Sequence, residues 1–442
     1  MFYQESVLDN GVTVISERIP SVRSVSVGIW FCVGSRDESE REQGISHFME
    51  HMMFKGTERR DAFAISEAFE SIGAEQNAFT SKEYTCYYSR FIDERLTEVM
   101  DILGDMVTAS VFDQSSIDPE REVVIEEIAR SEDTPDDYIF ELFTKAAYPH
   151  HPLGRPIIGS REVVGGFMRP DCLAWRDKHY HAGNCIAIAA GNVEHEDFVA
   201  ACARQLGTLP AGRRNPRDTV DAGGWEPFAA LEKDTEQAHI IYGMEGLALG
   251  DPDRFAGSLL DAALGGGMSS RLFQEVREKR GLAYAVYAST MPYRGAAQFL
   301  VYAGTRPSNM EEVCEIITRE VGKVLAGGLE PDELERVREY LIGHIVLSME
   351  STSQRMLRLG KSVLGGVEML SLDELVENYR RVTLADIKRV AERVLSASPT
   401  LAVISPRATD ELASSLAPFL APGQGRSAGA ARAATGQGQG PR

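Results

Sequence analysis

His47, Glu50 and His51 stand in the run His47-Phe48-Met49-Glu50-His51. On a helix each residue turns about 100°, so these three side chains share one face. Two imidazoles four residues apart can chelate a single ion, and the carboxylate between them can reach a water on that ion. The run alone also fits two ordinary histidines on an amphipathic helix. A second segment bears on the choice. Asp118 suits an N-cap and Pro119 a first helical position, so a helix is expected over 119–131. On it Glu120 and Glu127 fall within the apolar stripe of Val124 and Ile128, whereas Glu122 and Glu126 fall away from it. A core-facing carboxylate is costly unless it is paired or metal-bound; the plainer reading is that the stripe has an exposed edge and both are solvated. Taken with the histidines, Glu127 is the natural third ligand. A His₂Glu set leaves a fourth position for water, which is the arrangement of a catalytic rather than a structural zinc, and zinc suits these donors best. Two neutral imidazoles, one carboxylate and Zn²⁺ leave one net positive charge, which draws the pKa of bound water toward about 7 and polarises a carbonyl. Glu50 would then be the general base that passes a proton to a leaving amine. Glu120 could orient a ligand histidine from behind.

Such residues need elements to carry them. Alternating patterns predict strands over 11–16 and 24–33 and a strand pair through 77–91. Helical patterns cover 42–54, 63–71 and 93–110. Residues 209–227, rich in Pro, Gly and Arg, read as a linker. Beyond it the order of elements repeats, with a strand at 238–243, a helix at 254–264, and a helix at 270–279 running into a strand at 282–289. The halves also close alike. A helical stretch precedes the strand 185–190 in one and 401–404 in the other, and Val164, Phe167 and Arg169 return at constant spacing as Val376, Tyr379 and Arg381. The expected fold class is α+β, with two homologous α/β-sandwich domains, each a mainly antiparallel sheet covered by helices. A zinc-binding domain would occupy 1–208, the linker 209–227, and a second domain without the metal run 228–410. A low-complexity tail would fill 411–442, disordered from 422.

Composition narrows the partners. The chain has 442 residues, 43% hydrophobic and 25% charged, which is globular composition. Its 46 Lys and Arg against 66 Asp and Glu give a net charge of −20. That balance argues against nucleic acid and anionic membranes and weakly favours neutral or basic ligands. The six cysteines form no C-x-x-C pair, so reduced, buried thiols in a reducing compartment are expected. The first residues show neither a basic nor an apolar leader region, and no apolar run is long enough to span a membrane; a cytoplasmic, soluble protein is expected. Gly265-Gly266-Gly267 lacks the Lys-Ser/Thr of a phosphate loop, so nucleotide binding is not expected. His150 and His151 read as a solvated loop pair, and His179 and His181 as polar contacts at a helix end.

The runs GISHFMEHMMFKGT and GAEQNAFTSKEYTCYYSR carry an inverted H-x-x-E-H motif with Glu127 further along. They resemble the pitrilysin family of inverzincin metallopeptidases, closest to bacterial single-subunit relatives of the mitochondrial processing peptidase beta subunit. The resemblance covers nearly the whole chain except the tail. It implies one zinc per chain on His47, His51 and Glu127, with Glu50 as base and Glu120 as accessory glutamate. It also implies that Asn77 and Ala78 lie on an edge strand that pairs with peptide, and that Arg277 and Tyr284 contact substrate from the second domain. Read without the family, Arg277 ends a helix that Gly281 caps and Tyr284 opens a strand, a surface arginine and a core tyrosine. The implied function is a zinc endopeptidase acting on short or unfolded peptides inside a closed chamber, as a homodimer or as a heterodimer with a sister chain. The alternative is a catalytically inactive assembly subunit of the same family, against which the complete residue set speaks.

Overall fold

The computed structural model describes residues 2–217, 220 and 224–420. Its strands are β1 (Gln4–Val7), β2 (Thr13–Arg18), β3 (Ser24–Phe31), β4 (Glu75–Thr80), β5 (Thr85–Ile92), β6 (Cys185–Gly191), β7 (Phe228–Glu232), β8 (Ala238–Glu245), β9 (Ala283–Tyr293), β10 (Ala296–Thr305) and β11 (Thr400–Ser405). They form a six-stranded sheet in the order β1-β2-β6-β3-β5-β4 and a five-stranded sheet in the order β7-β11-β8-β10-β9. In each sheet one parallel pair, β2 with β6 and β11 with β7, stands beside antiparallel neighbours. Apart from β1 the second sheet repeats the order of the first. The fold is therefore a duplicated α+β architecture of two mainly antiparallel sheets covered by helices.

Each sheet has one face on its own helices. The first core gathers Val25, Val27 and Ile29 of β3 with Phe48, Met49, Met52 and Met53, so helix Ile45–Met52 is buried on several sides. The second core is built likewise on Ile240 and Tyr242 of β8. The other face of each sheet is covered by a helix from the opposite half. Helix Pro135–Ala147 sets Ile139 and Phe143 on Ile241, Leu300 and Ile404 of the second sheet. Helix Thr352–Gly365 returns the arrangement, setting Met356 and Leu359 on Ile15, Trp30 and Ile188 of the first. The approach is close: a Cβ at Gly243 would sit 2.3 Å from the Phe143 ring, and one at Gly360 2.5 Å from Trp30. The sheets thus fall on either side of 209–227, but their covers cross it. Within the connecting segment, Asn215 N–H donates to Asn184 Oδ1 at 2.8 Å and Arg217 donates to the Glu83 carbonyl at 2.6 Å; residues 218, 219 and 221–223 of it lie outside the described residues.

Three local expectations are corrected. The glutamate-bearing helix runs Gln114–Glu132, so Asp118 is not its N-cap and Pro119 lies inside it. Fully buried Ile117 anchors the extra leading turn, and Asp118 instead bridges Gln114 and Arg121. The stretch before β9 is π-helical over Phe273–Glu278 rather than a regular helix, with Lys279 N–H bonded back to the Gln274 carbonyl. The start of the expected tail is ordered: helix Thr409–Leu416 buries Leu412 and Leu416 in the second core, a four-residue apolar spacing that the polar run around it masks. Residues 421–442 lie outside the described residues. All six cysteines are buried and unpaired, and among the described residues no helix is long and apolar enough to cross a membrane.

The crossed cover makes a definite prediction. Phe143→Ala, in the first half, should cost about 3–5 kcal/mol by opening a cavity on the second sheet. Differential scanning calorimetry should show a clear fall in the melting temperature, and an unchanged value would refute the crossed packing.

Candidate metal centre

Helix Ile45–Met52 begins at Gly44, whose φ is +90°. A Cβ there would lie 2.6 Å from the Ile158 carbonyl oxygen, so the position requires glycine. The buried Glu38 carboxylate accepts the Gly44 and Ser46 N–H groups at 2.8 and 2.9 Å, satisfying donors that a helix start leaves free. Burial pushes this carboxyl up to about 7. Helix Gln114–Glu132 packs beside it through Val124 and Ile128 in the same core. The crossing brings His47, His51 and Glu127 together, with one donor atom from each lying within 4.8 Å of the others. His47 Nε2 and His51 Nε2 stand 3.8 and 3.6 Å from Glu127 Oε2.

These residues fit a metal. Ligand bonds of about 2.0–2.1 Å in a tetrahedron separate the donors by about 3.4 Å, close to the spacing seen. Desolvation, and then the neighbouring His51, lower His47 to about 3, so its ring is neutral and free to ligate. Its Nδ1 is buried without a hydrogen-bond partner, which leaves Nε2 as its working atom. His51 Nδ1 lies 2.8 Å from Glu120 Oε1. Glu120 accepts there from the N–H tautomer that frees His51 Nε2 for a metal. Glu120 is buried and Glu127 is not, its side chain being 44% exposed; the shared apolar stripe therefore holds only for Glu120. Glu50, on the same helix, accepts a 2.6 Å hydrogen bond from Thr80 Oγ1. Burial raises its carboxyl, against the opposing effect of Thr80.

Asn77 and Ala78 lie on β4, the edge strand of the first sheet. With Glu50, His51, Lys55 and Glu120 they line a cleft of about 250 Å³. Arg277 and Tyr284 are not part of that lining. They sit in the second half, in a cleft of about 430 Å³ shared with Glu236 and Arg306. The Arg277 guanidinium lies between the Phe273 and Tyr284 rings, 4.9 and 4.7 Å from their centres, and donates to the Tyr284 carbonyl at 2.7 Å. Tyr284 is 78% exposed, not a core tyrosine. Gly281, at φ +62°, turns the chain from the π-helix into β9.

Residues 13–161 match the family model described as insulinase, peptidase family M16, and residues 167–341 match the M16 inactive domain. A Streptomyces coelicolor relative, named as an uncharacterised zinc protease, is 42% identical over 412 residues, covering 91% of this chain and 89% of its own length. The chain belongs to the M16 peptidase family. A Bacillus subtilis relative of the same description is 37% identical over 402 residues, 90% of this chain and 97% of that one. Family and donor set together make zinc the metal of this M16 chain. Two solved structures share the fold. A Helicobacter pylori protease has a TM-score of 0.85 at 22% identity, covering 91% of this chain and 99% of its own. A Pseudomonas fluorescens M16 inactive-domain structure has a TM-score of 0.87 at 21%, covering 92% and 99%. The two family models meet near residue 165, ahead of β6, so the boundary between them falls inside the first sheet rather than at the linker.

Three residues at the centre escaped the sequence reading. Glu38 stands at the helix start, Thr80 holds Glu50, and Lys55 pairs with Glu120. Thr80 and Lys55 were visible only as letters in QNAFTS and MMFKGT, for nothing in their spacing points at a carboxylate.

Replacing His47 or Glu127 by Ala should lower the zinc content from about one per chain to near none, as read by atomic absorption. Glu126→Ala, one residue away on the exposed face, should leave it unchanged.

Proposed function

We propose that the chain is a zinc endopeptidase that hydrolyses peptide bonds of short or unfolded peptides. The observation that carries this reading is the Glu50 carboxylate, held by Thr80 next to the His47, His51 and Glu127 cluster and beside the free edge of β4. Zinc, when bound, supplies Lewis-acid polarisation of water and of the scissile carbonyl. The remaining steps belong to the chain. Peptide adds along Asn77 and Ala78 as a further strand, so most of its binding comes from backbone hydrogen bonds rather than side-chain recognition. Glu50 takes the proton of the attacking water and delivers it to the leaving amine. Its raised carboxyl narrows the gap to the groups it exchanges protons with. Glu120 keeps His51 oriented throughout.

Arg277 and Tyr284 grip the peptide from the second half, the cation and phenol meeting charge that develops on the carbonyl oxygen. They lie outside the metal-site cleft of one chain, so we assign the assembly as a homodimer that encloses a chamber admitting unfolded peptides. A sister chain in place of the second copy is the other arrangement, and the presence of both residue sets in one chain speaks for the homodimer. The net charge of −20 supports basic peptides as substrates. Six unpaired buried thiols support a reducing, cytoplasmic location.

The test is cleavage of a quenched fluorescent basic peptide of ten to twenty residues. Wild type should cleave it, and a chelator should abolish cleavage. Glu50→Gln should lose about 10²–10⁴-fold in rate while still holding about one zinc per chain. Zinc-loaded wild type that cleaves no peptide would sink the reading and favour an assembly subunit. Arg277→Ala should lower kcat/KM by 10-fold or more at unchanged zinc content, about 1.4 kcal/mol of transition-state binding; full activity would remove Arg277 from the site.

A further inference from the structure

Glu120 is a carboxylate with two tasks and little solvent. Its side chain is 7% exposed, and both oxygens are engaged. Oε1 lies 2.8 Å from His51 Nδ1, and Oε2 lies 2.6 Å from Lys55 Nζ. Among the described residues Lys55 is the one lysine or arginine paired with Glu120. It stands on the turn that follows helix Ile45–Met52, where its N–H donates to the Met52 carbonyl at 3.1 Å. The next residues are pinned by the bridge of Thr57 to Ser110. Lys55 therefore joins the end of one ligand-bearing helix to the other through the carboxylate that also orients His51.

We propose that Lys55 is a positioning residue for the metal: it anchors Glu120 so that Glu120 holds the His51 ring with Nε2 turned toward Glu127. The inference rests on the zinc reading above. The physical argument has two parts. A buried carboxylate bonded through one oxygen can still pivot about that bond, whereas one bonded through both cannot. Three carboxylates, Glu50, Glu120 and Glu127, also crowd one small site, and Lys55 offsets one of those charges before any metal arrives. Removing it leaves Oε2 buried and unpaired and frees Glu120 to turn off His51. Losing such an outer partner of a metal ligand typically lowers metal affinity about 10–100-fold.

The experiment measures zinc dissociation constants by chelator competition on the full chain. It compares wild type with Lys55→Met, Lys55→Gln, Lys55→Arg, Glu120→Gln and the double variant Lys55→Met/Glu120→Gln. Melting temperatures of the zinc-free forms report folding separately. The expected result is at least about 10-fold weaker zinc binding for Lys55→Met and Lys55→Gln, with most of the affinity kept by Lys55→Arg. The double variant should bind no more weakly than Glu120→Gln alone, because Lys55 acts through Glu120. Affinity within twofold of wild type in both neutral variants overturns the proposal, as does a double variant whose losses add. A lowered zinc-free melting temperature with unchanged affinity means a structural role only and also overturns it. Wild type that binds no zinc overturns the zinc reading itself, a separate outcome from any failure of Lys55.

Discussion

Three donor atoms on two helices far apart in the sequence have to be held to within fractions of an ångström, and the packing between those helices is what holds them. Ile117, Val124 and Ile128 of one helix share a core with Phe48, Met49 and Met52 of the other. Polar side chains placed against such a core must find partners. Glu50 has Thr80, His51 has Glu120, Glu120 has Lys55, and the free N–H groups of the first helix have Glu38. The exception is instructive. His47 Nδ1 is buried without a partner, so this ring is positioned by packing alone, whereas His51 is positioned by hydrogen bonding. One histidine is held by enclosure; the other is held by a chain of charges, Glu120 and then Lys55, that ends on a partly exposed lysine.

The second half shows what happens when the same layout is released from that constraint. Its helix Arg254–Gly265 follows β8 as helix Ile45–Met52 follows β3, but carries Leu259, Leu260, Ala262 and Ala263 into the core and holds no histidine. Its end presses on the edge strand so closely that a Cβ at Gly265 would meet the Ala288 nitrogen at 2.1 Å. That half still bears on the first, because its helix Thr352–Gly365 supplies the outer cover of the sheet that carries β4. The two halves of the duplicated fold are joined by these exchanged covers.

Much of this was legible in the sequence, for physical reasons. His47, Glu50 and His51 share a face because helical periodicity is strict, and the strand order of the second half echoes the first because alternation survives divergence. Edges were less visible. Pro119 reads as a helix start, yet Ile117 buries a turn ahead of it, and burial of a single isoleucine leaves no periodic trace. The exchange of Pro135–Ala147 and Thr352–Gly365 was invisible, since an amphipathic helix records that it covers something and not which sheet it covers. Lys55 and Thr80 were missed because each acts on a carboxylate distant in the chain, and pairing across elements has no spacing to read.

The edge of β4 raises a last question of balance. An unpaired strand edge invites aggregation unless it is short or blocked. β4 is six residues long, and Asn77 Oδ1 accepts the N–H of Ala78 at 2.8 Å. The side chain thereby occupies a backbone donor on the very strand that would pair with peptide. On the proposed reading, a peptide that adds there would exchange the Asn77 bond for one from its own carbonyl, so the net gain per bond would be modest, on the order of 1 kcal/mol or less. Weak, backbone-based pairing cannot discriminate much among sequences. On that reading, selectivity would come from which chains can reach the edge and lie flat along it. On the reading proposed above, Asn77 would serve both needs, covering one backbone donor of the edge with a bond that costs little to replace.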